Sequence, residues 1–255
     1  MSRRAAGGRA GVGAGRSPAL PPARTEGAGR EPAPARGRES AEAKAKRAAE
    51  IVARLKKAYP DAHCALDFTS PYQLIVATIL SAQCTDVRVN MVTPAFFAKW
   101  PTPASLARAR TADVEKVIMS TGFFRNKARN LIAMAQDLVA THDGVVPRTM
   151  AELHDLPGVG RKTANVVLGN AFGISEGVTV DTHVTRLCTL LRLATGTDAV
   201  KIEQQLMKLI ARDDWAIFSH LLIAHGRTIC VANRPKCEVC VVNALCPSAR
   251  TAVGR

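Results

Sequence analysis

The stretch Leu153-His154-Asp155-Leu156-Pro157-Gly158-Val159-Gly160-Arg161-Lys162-Thr163-Ala164-Asn165-Val166-Val167-Leu168 constrains the fold more than any other part of the chain. A short helix ends near Asp155. Pro157 and Gly158 then force a tight turn, since proline fixes its φ and glycine accepts angles closed to other residues. A second helix begins, with Ala164, Val167, Leu168 and Ala171 on one buried stripe. Gly160 is read as another position of unusual backbone angle that leaves backbone N–H groups uncovered. Uncovered N–H groups at a helix N-terminus form an anion site that suits a phosphate and reads no base. A plain αα-hairpin, whose glycines only let two helices pack, has the same letters. The flanking charges bear on the choice. Arg161 and Lys162 fall in the first helical turn, where the helix dipole disfavours each cation by about 0.3–1 kcal/mol. Two cations there point to an anion nearby or to a task for one amine.

The rest of the chain reads as helical. Ala41 to Ala58 is amphipathic around Ile51, Val52 and Leu55. Ser70-Pro71-Tyr72-Gln73 signals a helix start, with Ser70 as cap, Pro71 at the first position and Gln73 closing a capping box. Leu74 to Ala82 is apolar almost all round and is expected at the centre. A helix from Asp86 should be kinked or broken at Pro94. Asp113 to Ser120 and Asn126 to Ala140 are helical, joined by Thr121-Gly122-Phe123-Phe124. Thr149-Met150-Ala151-Glu152 reads as a second capping box. Ile202, Leu206, Leu209 and Ile210 form a further stripe, and Trp215 to Ala224 an apolar helix. Aromatic residues are only 4% of the chain, and strand-like alternation is missing. An all-α fold follows.

The formal net charge is +14. Eight Arg and three Glu fall in the first 40 residues, which leaves +9 on the remainder. The globular part is therefore basic in its own right, as expected for a polyanionic partner. Residues 1–42, rich in Gly, Pro, Arg and Ala, are expected to be a disordered tail. No apolar run reaches the roughly 20 residues of a membrane span, and the arginine-rich start lacks the apolar core of a signal peptide. The protein is expected in the cytosol. There, seven cysteines point to metal or catalysis rather than disulfides.

Lys162 and Asp181 are the candidate reacting groups. An amine nucleophile must spend time unprotonated, and a helix N-terminus with basic neighbours favours that state. An exposed lysine gripping phosphate would look the same in sequence. Asp181, in Val178-Thr179-Val180-Asp181-Thr182-His183, precedes a helix with the stripe Val184, Leu187, Cys188 and Leu191. It reads as an N-cap, and a carboxylate fixed by its cap can also act on a sugar cation or relay protons.

Leu156 to Lys162, followed by Val180-Asp181-Thr182-His183, resembles the helix-hairpin-helix and aspartate of the DNA glycosylase superfamily. With Leu80-Ser81-Ala82-Gln83-Cys84-Thr85-Asp86 and the C-terminal cysteines, the chain resembles endonuclease III over about residues 45–250. The resemblance implies a two-lobed, all-α glycosylase fold. Residues 64–174 would be a helical barrel domain. Residues 43–63 with 175–255 would be an iron–sulfur cluster domain, and duplex DNA would lie between the two. It further implies a bifunctional DNA glycosylase and abasic-site lyase for oxidised pyrimidines, acting as a monomer. Lys162 would be the nucleophile and Asp181 the essential carboxylate. Pro157, Gly158, Val159, Gly160 and Arg161 would hold the DNA backbone. Gln83 would fill the vacated base stack, and Phe123 would wedge the opposite strand. Without the resemblance, Phe123 reads equally well as a core residue and Gln83 as an ordinary polar helix end. An adenine-specific glycosylase is disfavoured by the lysine at 162. A non-catalytic hairpin module remains a reading that composition alone would permit.

Cys230, Cys237, Cys240 and Cys246 have the spacing C-x6-C-x2-C-x5-C. Four thiols so close signal a metal site. The spacing fits neither paired zinc knuckles nor ferredoxins, and the resemblance implies a 4Fe-4S cluster. Between the first two lie Arg234 and Lys236, expected to meet phosphates. Cys64, Cys84 and Cys188 have no ligand spacing. His220 and His225 do not share a helix face, and no metal site is expected there.

Overall fold

The computed structural model describes residues 39–250. Among them the regular elements are all helical. In chain order they are α1 (Ala41–Ala58), α2 (Pro71–Leu80), α3 (Asp86–Lys99), α4 (Pro103–Ala107), α5 (Thr111–Ile118) and α6 (Phe124–Thr141). There follow α7 (Met150–Asp155), α8 (Arg161–Ala171), α9 (Thr182–Leu190), α10 (Ala199–Met207) and α11 (Trp215–Thr228). Among the described residues, no helix is long and apolar enough to cross a membrane. Most of the expected tail, residues 1–38, lies outside the described residues. Its last four belong to the fold: Ser40 caps α1, and Glu39 pairs with Arg47 at 2.7 Å.

Side-chain oxygens set most helix starts, because the first turn of a helix leaves N–H groups without partners. Ser70, Thr85, Thr102, Thr149, Asp181 and Asp198 each accept from a first-turn N–H. The two capping boxes read from sequence are only half formed. Gln73 reaches one residue further back and accepts from the Thr69 N–H at 2.8 Å. Glu152 Oε2 meets the Thr149 hydroxyl at 2.5 Å. The complete box is Thr102 with Ser105, where serine replaces the acidic or amide residue of the usual pattern.

Among the described residues, apolar side chains form two separate clusters. The first surrounds α2, whose residues from Leu74 to Leu80 are all buried, with Phe96, Leu106, Ile118, Leu131, Leu138, Leu153, Leu156 and Leu168 around them. Each fully buried leucine contributes about 1.5–3 kcal/mol by leaving water. The second joins Ile51 and Leu55 of α1 to Leu187, Leu206, Phe218, Leu221 and Leu222. The chain thus folds its first helix back onto one of its last, and α1 packs on α11. Arg47 helps to fix this return, donating to the carbonyls of Leu191 at 2.8 Å and Leu245 at 3.1 Å.

Pro94 does not break α3. The helix runs continuously from Asp86 to Lys99 because Val89 and Val92 before the proline, and Phe96 after it, are buried together in the first cluster. Tertiary burial outweighs the lost hydrogen bond. Pro94 itself is exposed. Pro94→Ala restores a donor for the Asn90 carbonyl and should raise unfolding free energy by about 1–3 kcal/mol, as read by urea denaturation.

Candidate active site and nucleic-acid interface

Two apolar side chains anchor the hairpin between α7 and α8. Leu156 and Val159 are buried in the first cluster, while Gly158 and Gly160 face outward. Gly158 has φ +78°, and a Cβ there would meet Asn130 Cβ at 2.8 Å. It is therefore the glycine that the turn requires. Gly160 corrects the expectation. Its φ of −90° and ψ of 172° are ordinary extended backbone. Nothing lies within 4 Å of the place its Cβ would occupy. Its role is open space in front of the α8 N-terminus, not unusual angles. Among the described residues no acceptor takes the Gly158 or Gly160 N–H.

The two cations of the first α8 turn have different fates. Arg161 is tied to Glu203 of α10, with Nε to Oε2 at 2.7 Å and Nη2 to Oε1 at 3.1 Å. Asn165 Nδ2 donates to the same carboxylate at 2.8 Å. Glu203 is 4% exposed, so the pair is well shielded on the acid side. Lys162 is exposed and has no ion-pair or hydrogen-bond partner among the described residues. The anion expected near these cations is thus partly supplied by the protein, and the guanidinium is bound before any phosphate arrives. Glu203 carries no signal in the sequence beyond being a charged residue beside the apolar stripe of α10.

The loop from α8 to α9 lies against the same turn. Gly177 is so close that a Cβ would fall 1.9 Å from Glu203 Oε1 and 2.9 Å from Asn165 Nδ2. Four residues on, Asp181 caps α9, its Oδ1 accepting from the Val184 N–H at 2.8 Å. Helix α11 backs this loop. Ser219 donates to the Thr179 carbonyl at 2.7 Å, and His220 Nε2 lies 2.8 Å from Asn170 Oδ1 of α8. Burial holds His220 below the ordinary imidazole range; nearby His63 adds to the effect and the Asp181 carboxylate opposes it. The cap expected of Asp181 is present, and the stripe Val184, Leu187, Cys188 and Leu191 is buried as read.

Gln83 and Phe123 are both exposed, and both are non-glycine residues in the left-handed region, with φ of 53° and 47°. Such backbone costs on the order of 1–3 kcal/mol at each position and gathers at functional sites. Phe123 is 64% exposed, which removes the core reading; the adjacent Phe124 packs against the first cluster instead.

Cys230, Cys237, Cys240 and Cys246 line one cavity of about 110 Å³, together with Arg186 and His225. Arg186 Nη1 lies 3.9 Å from Cys230 Sγ, and His225 Nε2 lies 3.5 Å from Cys240 Sγ. Among the described residues no three His, Cys, Asp or Glu side chains form a site for a single metal ion. Four soft sulfur donors lining one cavity are a donor set suited to a soft metal group. Arg234 and Lys236 are exposed on the loop between the first two cysteines. Cys188 is buried, and Cys64 and Cys84 pack against the first cluster.

A family model for the HhH-GPD superfamily base excision DNA repair protein matches residues 76–212, which spans both the hairpin and Asp181. Endonuclease III of Synechocystis is 55% identical over 79% of this chain and 92% of its own length. Endonuclease III of Escherichia coli is 40% identical over 77% of this chain and 93% of its own. A non-covalent endonuclease III–DNA complex and a trapped endonuclease III–DNA covalent intermediate each match with TM-score 0.76 at 40% identity. Each match covers 80% of this chain and 96% of the other. The chain belongs to the endonuclease III family.

The Arg161–Glu203 pair is asymmetric, since the arginine side chain is 38% exposed and the glutamate 5%. Removing the arginine strands a buried carboxylate, whereas removing the carboxylate lets the arginine turn into water. Arg161→Ala should therefore cost about 3 kcal/mol, and Glu203→Gln, which keeps an acceptor for Asn165, distinctly less. Urea unfolding of both variants checks the order; a larger loss for Glu203→Gln contradicts it.

Proposed function

We propose that Lys162 is the nucleophile, and Asp181 the essential carboxylate, of a bifunctional DNA glycosylase and abasic-site lyase. The protein is a base-excision repair enzyme that acts on damaged pyrimidines in duplex DNA. The observation that carries the assignment is the division of labour in the first turn of α8. Arg161 is held by Glu203, Lys162 is left exposed, and the loop leading to Asp181 is packed against the same turn.

The steps follow from these positions. The hairpin from Pro157 to Arg161 holds the DNA backbone with N–H groups, which positions the duplex without reading its sequence. The damaged nucleotide leaves the stack, at lower cost than an intact one. Gln83 takes its place and Phe123 enters from the other side. The neutral Lys162 amine attacks C1′, and the bond from C1′ to the base breaks with its electron pair on the base. Asp181 stabilises the positive charge that develops on the sugar. Opening of the sugar gives a Schiff base at C1′. Loss of a C2′ proton then expels the 3′ phosphate, and water releases the lysine.

The four cysteines would hold a 4Fe-4S cluster, which ties the C-terminal loop to α9 and α11 and presents Arg234 and Lys236 to phosphates. The two apolar clusters support a division into a barrel domain, residues 64–174, and a cluster domain, residues 43–63 with 175–255. The protein acts as a monomer on DNA in the bacterial cytosol.

Borohydride reduction during turnover tests the assignment. The native enzyme should become covalently attached to duplex DNA bearing an abasic site. Lys162→Ala should abolish attachment and keep binding to the same duplex. Asp181→Asn should slow single-turnover excision by about 100-fold or more. Attachment that persists in Lys162→Ala refutes the nucleophile.

A further inference from the structure

Lys127 is a buried cation that the chemistry above does not use. It lies in the first turn of α6 and is 5% exposed. Among the described residues no carboxylate pairs with it. Its ammonium instead donates to two main-chain carbonyls, that of Leu80 at 2.8 Å and that of Thr121 at 2.7 Å. Neither oxygen accepts from a backbone N–H outside the helices. Burying an ammonium without a counter-charge is costly, so a function for the charge is called for.

The two carbonyls belong to segments far apart in sequence. Leu80 is the last residue of α2, where the helix dipole favours a cation. Three residues later comes Gln83. Thr121 ends the turn after α5, and two residues later comes Phe123. Both destinations are exposed residues in left-handed backbone. One ammonium thus clamps the roots of two strained projections. Burial lowers the lysine's affinity for its proton, and the nearby Cys84 sulfur opposes that loss.

We propose that Lys127 is the positioning residue that sets the spacing of Gln83 and Phe123, so that both enter one duplex together. The proposal rests on the reading of those two residues as DNA contacts. Lys127 touches neither substrate nor reacting atoms. It acts through the main chain of the two turns, and its loss would let the turns relax out of their strained angles independently.

Single-turnover assays on the full-length protein with two substrates test this. One is a duplex with a single damaged pyrimidine, which needs both projections. The other is a single strand with an abasic site, which has no stack to refill and no opposite strand to wedge. Lys127→Met should slow excision from the duplex by about 10- to 100-fold and leave borohydride attachment to the single strand essentially unchanged. Added to Phe123→Ala, it should cost less than it does alone, since the part of its effect that acts through Phe123 is already lost. An unchanged duplex rate overturns the proposal. So does equal loss on both substrates, which would mark Lys127 as merely structural. Gln83→Ala and Phe123→Ala separate the two levels. If neither slows excision from the duplex, the reading of them as DNA contacts fails and the proposal falls with it. If both are slow while Lys127→Met is fast, only the positioning role fails. Where Lys127→Met does not fold, Lys127→Arg keeps the charge but misplaces the donors, and should show the same split between substrates.

Discussion

The buried carboxylate of Glu203 decides the character of the site. Two adjacent cations at the start of a helix repel each other and the helix dipole. Glu203 takes one of them, Arg161, in a bidentate pair, and takes Asn165 from the next turn as well. The first turn of α8 is thereby fixed to α10, across the line between the two apolar clusters. The tight approach of Gly177 to the same carboxylate fixes the loop that leads to Asp181. Lys162 is the cation left over. Its exposure is a consequence of its neighbour's capture as much as of its own position.

A second set of constraints shapes the rim. Gln83 and Phe123 hold backbone angles that neither residue prefers, and both project into solvent. Strain of this kind persists only where the surroundings over-determine it. Here the surroundings are the buried C-terminal part of helix α2 on one side and the α5–α6 turn on the other, joined by a single ammonium. On the hairpin the economy is reversed. Leu156 and Val159 anchor the turn inward so that two glycines can present uncovered N–H groups. The rim thus combines rigid apolar roots with polar or aromatic tips, an arrangement suited to entering a stacked duplex.

Much of this was legible in the sequence because it depends on local rules. Helix α2 was readable from the Ser70-Pro71 start and its unbroken apolar run. The hairpin was readable from Pro157 and Gly158 between two helical stripes, and Asp181 from its cap position. The errors arose where a distant contact overrode a local rule. Pro94 is expected to kink or break α3, and the break does not occur, since buried residues on both sides keep the helix continuous. Gly160 is expected to need unusual angles, whereas its backbone is ordinary and extended and a Cβ there would meet only open space. Gln73 and Glu152 have capping-box spacing but bond elsewhere, since the final hydrogen bond is chosen by side-chain reach in three dimensions.

The sequence by itself determined the helical class, the turn at Pro157-Gly158, the cap at Asp181 and the four-thiol spacing near the C-terminus. Each is set by backbone sterics, periodicity or donor chemistry within a few residues. Only the tertiary structure decided that Arg161 would be bound and Lys162 exposed, that Phe123 would point outward, and that Lys127 would bridge two turns. The first and the last depend on Glu203 and Leu80, which lie 42 and 47 residues from their partners. Sequence separation leaves no local signal for a pairing that chain folding brings about, and burial then makes it strong.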